Sequence, residues 1–315
     1  MEVIHLKYPH QLETMEGQYS LAIGFFDGVH LGHQQVIEEA KAKAKELHIK
    51  SAVMTFDPHP SIVLGERKEK VFYITPLEQK LTVLESLGVD VTFVVHFTSD
   101  FAKLSPQTFV EMFIKNMNVK HVTAGFDFSF GAFGKGNMEM MKQLSGGQFG
   151  VSVIEKCADG TEKISSTRIR KYLSDGDMES AHKLLGRAFE VPGIVVHGDK
   201  RGRTLGFPTA NVQRMAGCFT PATGVYAVRI LVQDEWHDGV CNVGYKPTFK
   251  DPNNKQLSIE VHIFDFNKNI YGEDVVVGWY KRIRSEKKFN GIDELVAQIE
   301  RDKQEAIDYL KSIAK

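Results

Sequence analysis

Gly24-Phe25-Phe26-Asp27-Gly28-Val29-His30-Leu31-Gly32-His33 decides how the first half of this chain is read. A short apolar run, Leu21–Gly24, leads into it, and a helical pattern starts near His33. A glycine-bearing turn between a strand and a helix is where open α/β sheets bind phosphates, because backbone N–H groups and the helix start both favour an anion. Gly28 and Gly32 allow close backbone approach, with Gly24, Phe26 and Asp27 as further candidates for nucleotide contact. His30 and His33, three residues apart, project together and can donate hydrogen bonds to charge growing on phosphorus. The segment is neither a G-x-G-x-x-G dinucleotide loop nor a P-loop. A zinc site is not supported, since three or four ligands are needed and only Asp27 lies near.

Outward from this loop, β-branched and aromatic runs alternate with helical patterns from Ser20 to about Leu185. That order predicts an α/β unit, Rossmann-like, with a parallel sheet covered by helices. The strands expected are Leu21–Gly24, Ala52–Phe56, Val89–Phe97, His121–Gly125 and Val151–Cys157, with helices starting near His33, Pro76, Pro106, Met138 and Thr167. Thr75-Pro76-Leu77-Glu78 reads as an N-cap, a first-turn proline and a capping-box glutamate. Ser105-Pro106 repeats the first two signals, and Gly88 supplies a stop.

After Gly186 the pattern changes. Val225–Val232, Val240–Val243, Leu257–Phe264 and Val275–Lys281 follow one another without intervening helices, which predicts a small antiparallel β-barrel. One amphipathic C-terminal helix, about Ile292 to Ile313, carries Leu295, Ile299, Ala306, Leu310 and Ile313 on the stripe expected to pack on the barrel. Val191-Pro192-Gly193 reads as the barrel entry, so the expected domains are 1–186 and 187–315.

Three further segments of the first half follow strand ends, where ligands bind in such sheets. They are Thr55-Phe56-Asp57-Pro58-His59-Pro60, Gly125-Phe126-Asp127-Phe128-Ser129-Phe130-Gly131 and Ile164-Ser165-Ser166-Thr167-Arg168-Ile169-Arg170. Hydroxyls and cations at the start of a helix, as in the last of these, suit a polyphosphate. Taken with the opening loop, this ordered set resembles the bacterial bifunctional riboflavin kinase/FMN adenylyltransferase family. The resemblance extends over essentially the whole chain, and the first and last motifs are similar to those of the nucleotidylyltransferase superfamily. It implies transfer of AMP from ATP to FMN with release of pyrophosphate. His30 and His33 would hold ATP phosphates, and Ser166, Thr167 and Arg170 would grip the triphosphate. Asp127 would lie near the junction of flavin and ATP, with Asp57, Pro58 and Phe128 as flavin contacts.

In the second half, Gly198-Asp199-Lys200-Arg201-Gly202-Arg203-Thr204-Leu205-Gly206-Phe207-Pro208-Thr209-Ala210-Asn211 sets glycines four apart among cations. This suits a nucleotide anion, with Gly198, Lys200, Gly202, Arg203, Gly206 and Pro208 as candidates. Thr209 and Asn211 add neutral oxygens suited to Mg²⁺ shared with phosphate oxygens. Ser258-Ile259-Glu260-Val261-His262 alternates along a strand, so Glu260 and His262 share a face, and Glu260 is a candidate general base for a ribityl hydroxyl. The stretch resembles the riboflavin kinase module, whose G-R-x-x-G-x-P-T-A-N motif is matched from Gly202 to Asn211. That resemblance implies Mg²⁺-nucleotide binding by Thr209 and Asn211 and a base role for Glu260. It also implies a site shaped by Asn242-Val243-Gly244 through Pro247-Thr248-Phe249, and a flavin cover at Arg284 and Phe289.

Composition narrows the function classes. The 315 residues carry 39 Lys and Arg against 40 Asp and Glu, with 42% hydrophobic residues, which is globular rather than disordered. The balance is 20 basic and 23 acidic residues up to residue 186, and 19 and 17 beyond it, so no nucleic-acid partner is expected. Three dispersed cysteines, Cys157, Cys218 and Cys241, fit a reducing cytoplasm. No apolar run reaches membrane-spanning length, and the start lacks a signal-peptide pattern. The partners expected are riboflavin, FMN and ATP, with Mg²⁺ as cofactor. Two other functions stand beside the two-step enzyme: a single-activity enzyme, or a flavin-binding regulator without catalysis. Neither a base at Glu260 nor the His30/His33 pair is needed for binding alone. Oligomeric state is not legible.

Overall fold

The computed structural model describes residues 1–9, 17–65, 72–198, 201–247 and 255–314. The chain forms two compact units, residues 1–71 with 76–165, and residues 72–75 with 166–315.

In the first unit the strands are β1 (Glu2–Lys7), β2 (Tyr19–Ile23), β3 (Lys50–Asp57), β4 (Val91–His96), β5 (Val119–Gly125) and β6 (Gly150–Ile154), followed by a small hairpin, β7 (Ala158–Asp159) and β8 (Glu162–Lys163). The helices are α1 (Leu31–Leu47), α2 (Pro60–Val63), α3 (Leu77–Ser86), α4 (Ser99–Ala102), α5 (Pro106–Val110), which continues as a π-helical turn through Lys115, and α6 (Met138–Ser145). The main sheet runs β1-β4-β3-β2-β5-β6, with every pairing parallel. After β2 the chain builds outward through β3 and β4, then returns to the other side of β2 with β5. Its order therefore reverses between β2 and β5, the place where open α/β sheets form a ligand crevice. Both faces are covered, so the strands are apolar almost throughout: Val91, Thr92, Phe93, Val94 and Val95 are all buried. One face packs a cluster of phenylalanines that includes Phe93, Phe101, Phe109 and Phe113. The other packs Val36, Ile37 and Ala40 of α1 with Leu84 of α3.

Ser105 caps α5 as expected, accepting the Thr108 N–H, and Gly88, at φ 74°, ends α3. The Thr75 capping box does not form. Pro76 occupies the N-cap of α3 without a side-chain cap, and Thr75 Oγ1 instead accepts from Arg187 at 3.2 Å. β1 escapes the sequence pattern because Leu6 is its one buried residue.

The second unit adds α7 (Ser166–Asp175), α8 (Met178–Leu185), β9 (Phe189–Val196), α9 (Arg201–Thr204), β10 (Ala210–Arg214), β11 (Gly224–Val232), β12 (Glu235–Pro247), β13 (Lys255–Ile263), β14 (Asp274–Arg284) and α10 (Ile292–Ile313). Its six long strands close into an antiparallel barrel, β10-β13-β12-β11-β14-β9, around fully buried Tyr226 and Trp279, whose rings meet edge to face at 5.2 Å. Helix α8 packs on β14 and β9. Helix α10 packs on the barrel as expected, but Ala306 and Leu310 alone of its predicted stripe reach the core. Leu295 and Ile299 instead line a cavity, and Ile313 is exposed.

Candidate active sites

In the first unit the predicted residues gather at the carboxyl edge of the sheet. Gly24, Phe26, Asp27, Gly28, His30, Gly32 and His33 form the turn from β2 into α1, Asp57 and Pro58 end β3, and Asp127 and Phe128 follow β5. The turn departs from ordinary backbone geometry. Phe26 (φ 55°) and Val29 (φ 40°) are left-handed although neither is glycine, and Gly28 (φ 88°) lies between them. A bulky or β-branched residue held there costs about 1–3 kcal/mol, so surrounding contacts must hold the turn. The Phe26 ring is buried and meets His33 edge to face.

His30 is the N-cap of α1, its Nδ1 accepting the His33 N–H at 3.2 Å. In the neutral ring this puts the proton on Nε2, the tautomer suited to donating toward an anion. The two imidazoles stack with centroids 3.6 Å apart, and His30 and Asp27 are buried. Asp127 is exposed and paired with Lys163, whose ammonium also lies over the Phe126 ring. Sequence reasoning did not find Lys163, nor Lys80 of α3, because both reach these loops from distant segments. Lys80 is almost completely buried and donates to the Phe25 carbonyl at 2.8 Å and to Thr55 Oγ1 at 3.1 Å. Burial pushes its ammonium down to about 8, while Asp27 and Asp57 pull the other way.

In the second unit Ser166, Thr167 and Arg170 lie on α7. The barrel brings the other predicted residues together. Strand register sets Asn211 opposite Glu260 and Glu260 opposite Asn242, a row on one face of three adjacent strands. A cavity of about 370 Å³ opens over Glu260 and Asn242 of that row, and its lining also includes Gly202, Thr209, His262, Arg284 and Phe289. A second cavity, about 510 Å³, is lined by Arg203, Pro208 and Thr209 and by the segment from Phe266 to Tyr271. Thr209 thus borders both cavities, while Glu260 lines the first. His262 Nδ1–H donates to the Pro208 carbonyl at 2.8 Å, steadying the residue before Thr209. At Gly198 the Asn211 amide approaches closely: a Cβ there would fall 2.2 Å from Asn211 Nδ2, so that side chain would have to move. Gly206 has φ 87°.

Arg284 makes paired hydrogen bonds of 2.8–2.9 Å to Asp302 of α10, and Phe289 lies over its guanidinium. Asp302, which the sequence did not single out, is buried and also accepts from Gln298. Lys200, Thr248 and Phe249 lie outside the described residues. Among the described residues no cluster of three or more His, Cys, Asp or Glu side chains could hold a metal. Thr209 and Asn211 carry neutral oxygens, a ligand type that Mg²⁺ accepts beside phosphate oxygens and water.

The two halves match separate family models, FAD synthetase over residues 12–168 and riboflavin kinase over residues 185–310. A bifunctional riboflavin kinase/FMN adenylyltransferase from Bacillus subtilis is 52% identical, with all of both chains covered. The chain belongs to the bifunctional riboflavin kinase/FMN adenylyltransferase family. The Haemophilus influenzae relative of the same description is 40% identical over 93% of this chain and 94% of its own. A solved structure described as a macrolide-efflux protein from Streptococcus pneumoniae superposes with a TM-score of 0.86 at 37% identity, covering 95% of this chain and 97% of that one. Among the described residues no helix is long and apolar enough to cross a membrane. The family fits this architecture: an α/β unit with a glycine-bearing turn between β2 and α1, and a barrel with the Glu260 carboxylate lining an open cavity.

Proposed function

We propose that the chain makes FAD in two steps, phosphorylating riboflavin with ATP in the barrel unit and transferring AMP from a second ATP to FMN, with release of pyrophosphate. Membership of a family in which both halves are matched carries this reading. The arrangement of the barrel cavities supports it in detail. The 370 Å³ cavity is the acceptor site for the flavin, with Asn242, Arg284 and Phe289 around it, and Glu260 takes the proton of the attacking ribityl hydroxyl. The 510 Å³ cavity takes the nucleotide, with Arg203 and Pro208 in its wall. Thr209, at the wall between the two, stands where the phosphoryl group passes. Thr209 and Asn211 would hold Mg²⁺, which, when bound, supplies charge neutralisation on the phosphates.

For adenylyl transfer, the β2–α1 turn binds ATP phosphates through backbone N–H groups and the start of α1. His30 and His33 donate to the charge that develops on the α-phosphate, Ser166, Thr167 and Arg170 bind the triphosphate, and Asp57, Pro58, Asp127 and Phe128 contact the flavin. The buried cysteines, with thiols raised by burial at Cys218 and Cys241, are inert packing in a reducing cytoplasm. Chromatography of a reaction containing riboflavin, ATP and Mg²⁺ tests the reading. FMN should appear first and FAD after it; FMN alone, or FAD formed from supplied FMN alone, would reduce the protein to one activity.

The functional boundary is placed at residues 186/187, and each activity should survive separation. A fragment 187–315 removes α8, whose Met178, Ala181, Leu184 and Leu185 are buried. At about 1.5–3 kcal/mol per large apolar side chain, its melting point should fall about 10 °C or more below that of a fragment 166–315. Both fragments are expected to phosphorylate riboflavin, and a well-folded but inert fragment 166–315 would show that the kinase borrows residues from the first unit.

A further inference from the structure

Lys80 is a buried charge that the chemistry above does not use. The residue is 3% exposed, and its ammonium sits 4.3 Å from the centroid of the Phe25 ring. It donates to the Phe25 carbonyl, which also accepts from Thr55 Oγ1 at 2.9 Å. That carbonyl belongs to the peptide plane joining Phe25 to Phe26, whose rotation sets the left-handed φ of Phe26. Two donors on one oxygen therefore hold the plane in an orientation that Phe26 would not choose alone. The carboxylates acting on Lys80 are Asp27, from the same turn, and Asp57, from the end of β3. Both are negative charges beside a place meant for an anion, and a buried cation offsets them at short range.

We propose that Lys80 is a positioning residue for adenylyl transfer: it locks the Phe25–Phe26 peptide so that the β2–α1 turn keeps its anion-binding form, and it cancels the field of Asp27 and Asp57 at that turn. The inference rests on the assignment of adenylyl transfer to this turn. If His30→Ala leaves FAD formation intact, that assignment fails. If His30→Ala abolishes FAD formation and Lys80→Met does not, this inference alone fails.

Lys80→Met keeps the length of the side chain without its charge or donors. Misplacement by about 1 Å can cost about 10²-fold in rate, so kcat for FAD formation should fall by about that factor. Riboflavin phosphorylation by the same chain should stay within about two-fold, and a thermal melt read beside it separates loss of rate from loss of fold, since removing one partner of a buried charge cluster can itself be destabilising. A folded Lys80→Met protein that makes FAD at near the original rate overturns the proposal. A reading on the unaltered protein guards against a variant that does not fold. Lys80 loses its proton near pH 8 when folded but near 10.5 when unfolded, so between these values the unfolded state binds more protons and this group's contribution to stability rises with pH. Adenylyl transfer should move the other way, with kcat/KM for ATP falling as pH passes about 8 and no matching fall in kinase turnover. An adenylyl profile level from pH 7 to 9.5 would overturn the charge-cancelling half of the proposal; a neutral amine keeps two N–H donors, so the lock on the peptide stands or falls with Lys80→Met.

Discussion

His30→Ala and His33→Ala are each expected to lower FAD formation from FMN by about 10²–10³-fold, the usual effect of losing one preorganised donor to transition-state charge, while FMN formation from riboflavin continues. The two variants should differ in stability. His30 caps α1 through Nδ1, so its loss also removes about 0.5–2 kcal/mol from the helix. His33 contributes its backbone N–H to that cap, and alanine retains it. His30→Asn separates the roles, because asparagine caps a helix well but lacks an imidazole. It should restore the melting point without restoring FAD formation. Product chromatography beside a thermal melt reads all three variants, and equal loss of both activities in a folded protein would remove the histidines from a purely adenylyl role.

The second large effect belongs to the barrel. Glu260→Gln keeps shape and hydrogen bonding but cannot accept a proton, so riboflavin phosphorylation should fall by about 10²–10⁴-fold with Mg²⁺-nucleotide affinity little changed. Asn211→Ala, one strand over in the same row, should instead weaken Mg²⁺-nucleotide binding, with partial recovery at higher Mg²⁺. Both variants should still convert supplied FMN to FAD. Calorimetry of nucleotide binding, set against turnover, distinguishes base from metal ligand. Near-normal kinase turnover in Glu260→Gln would leave the base unassigned.

Local rules made much of this fold legible. The strand-turn-helix at Leu21–His33, the stop at Gly88 and the cap at Ser105 are decided by neighbours in sequence, and all three form. The alternation of Glu260 and His262 places both at the same cavity. What stayed hidden depends on distant segments meeting. Lys80 looks like an ordinary cation on an amphipathic helix until β3 and the β2–α1 turn are folded around it. Lys163 acquires meaning only beside Asp127, 36 residues earlier, and Asp302 only beside Arg284. Thr75 failed in the opposite direction: its local signal was sound, and a tertiary bond from Arg187 drew the hydroxyl away from the helix.

The last helix carries one apolar stripe with two duties. Ala306 and Leu310 fill the space against the barrel, whereas Leu295 and Ile299, on the same stripe, face a space of ligand size. An engineer raising thermal stability by enlarging apolar residues along α10 would find no difference between the two halves in hydropathy or spacing. Near Ala306 a larger side chain meets filled volume and strains the core. At Ile299 it has room, and the added contacts should raise the melting point while the cavity proposed for the flavin closes. The positions most tempting to a stabilising design are therefore those whose emptiness has a purpose, and a screen scored by stability alone would select against the kinase.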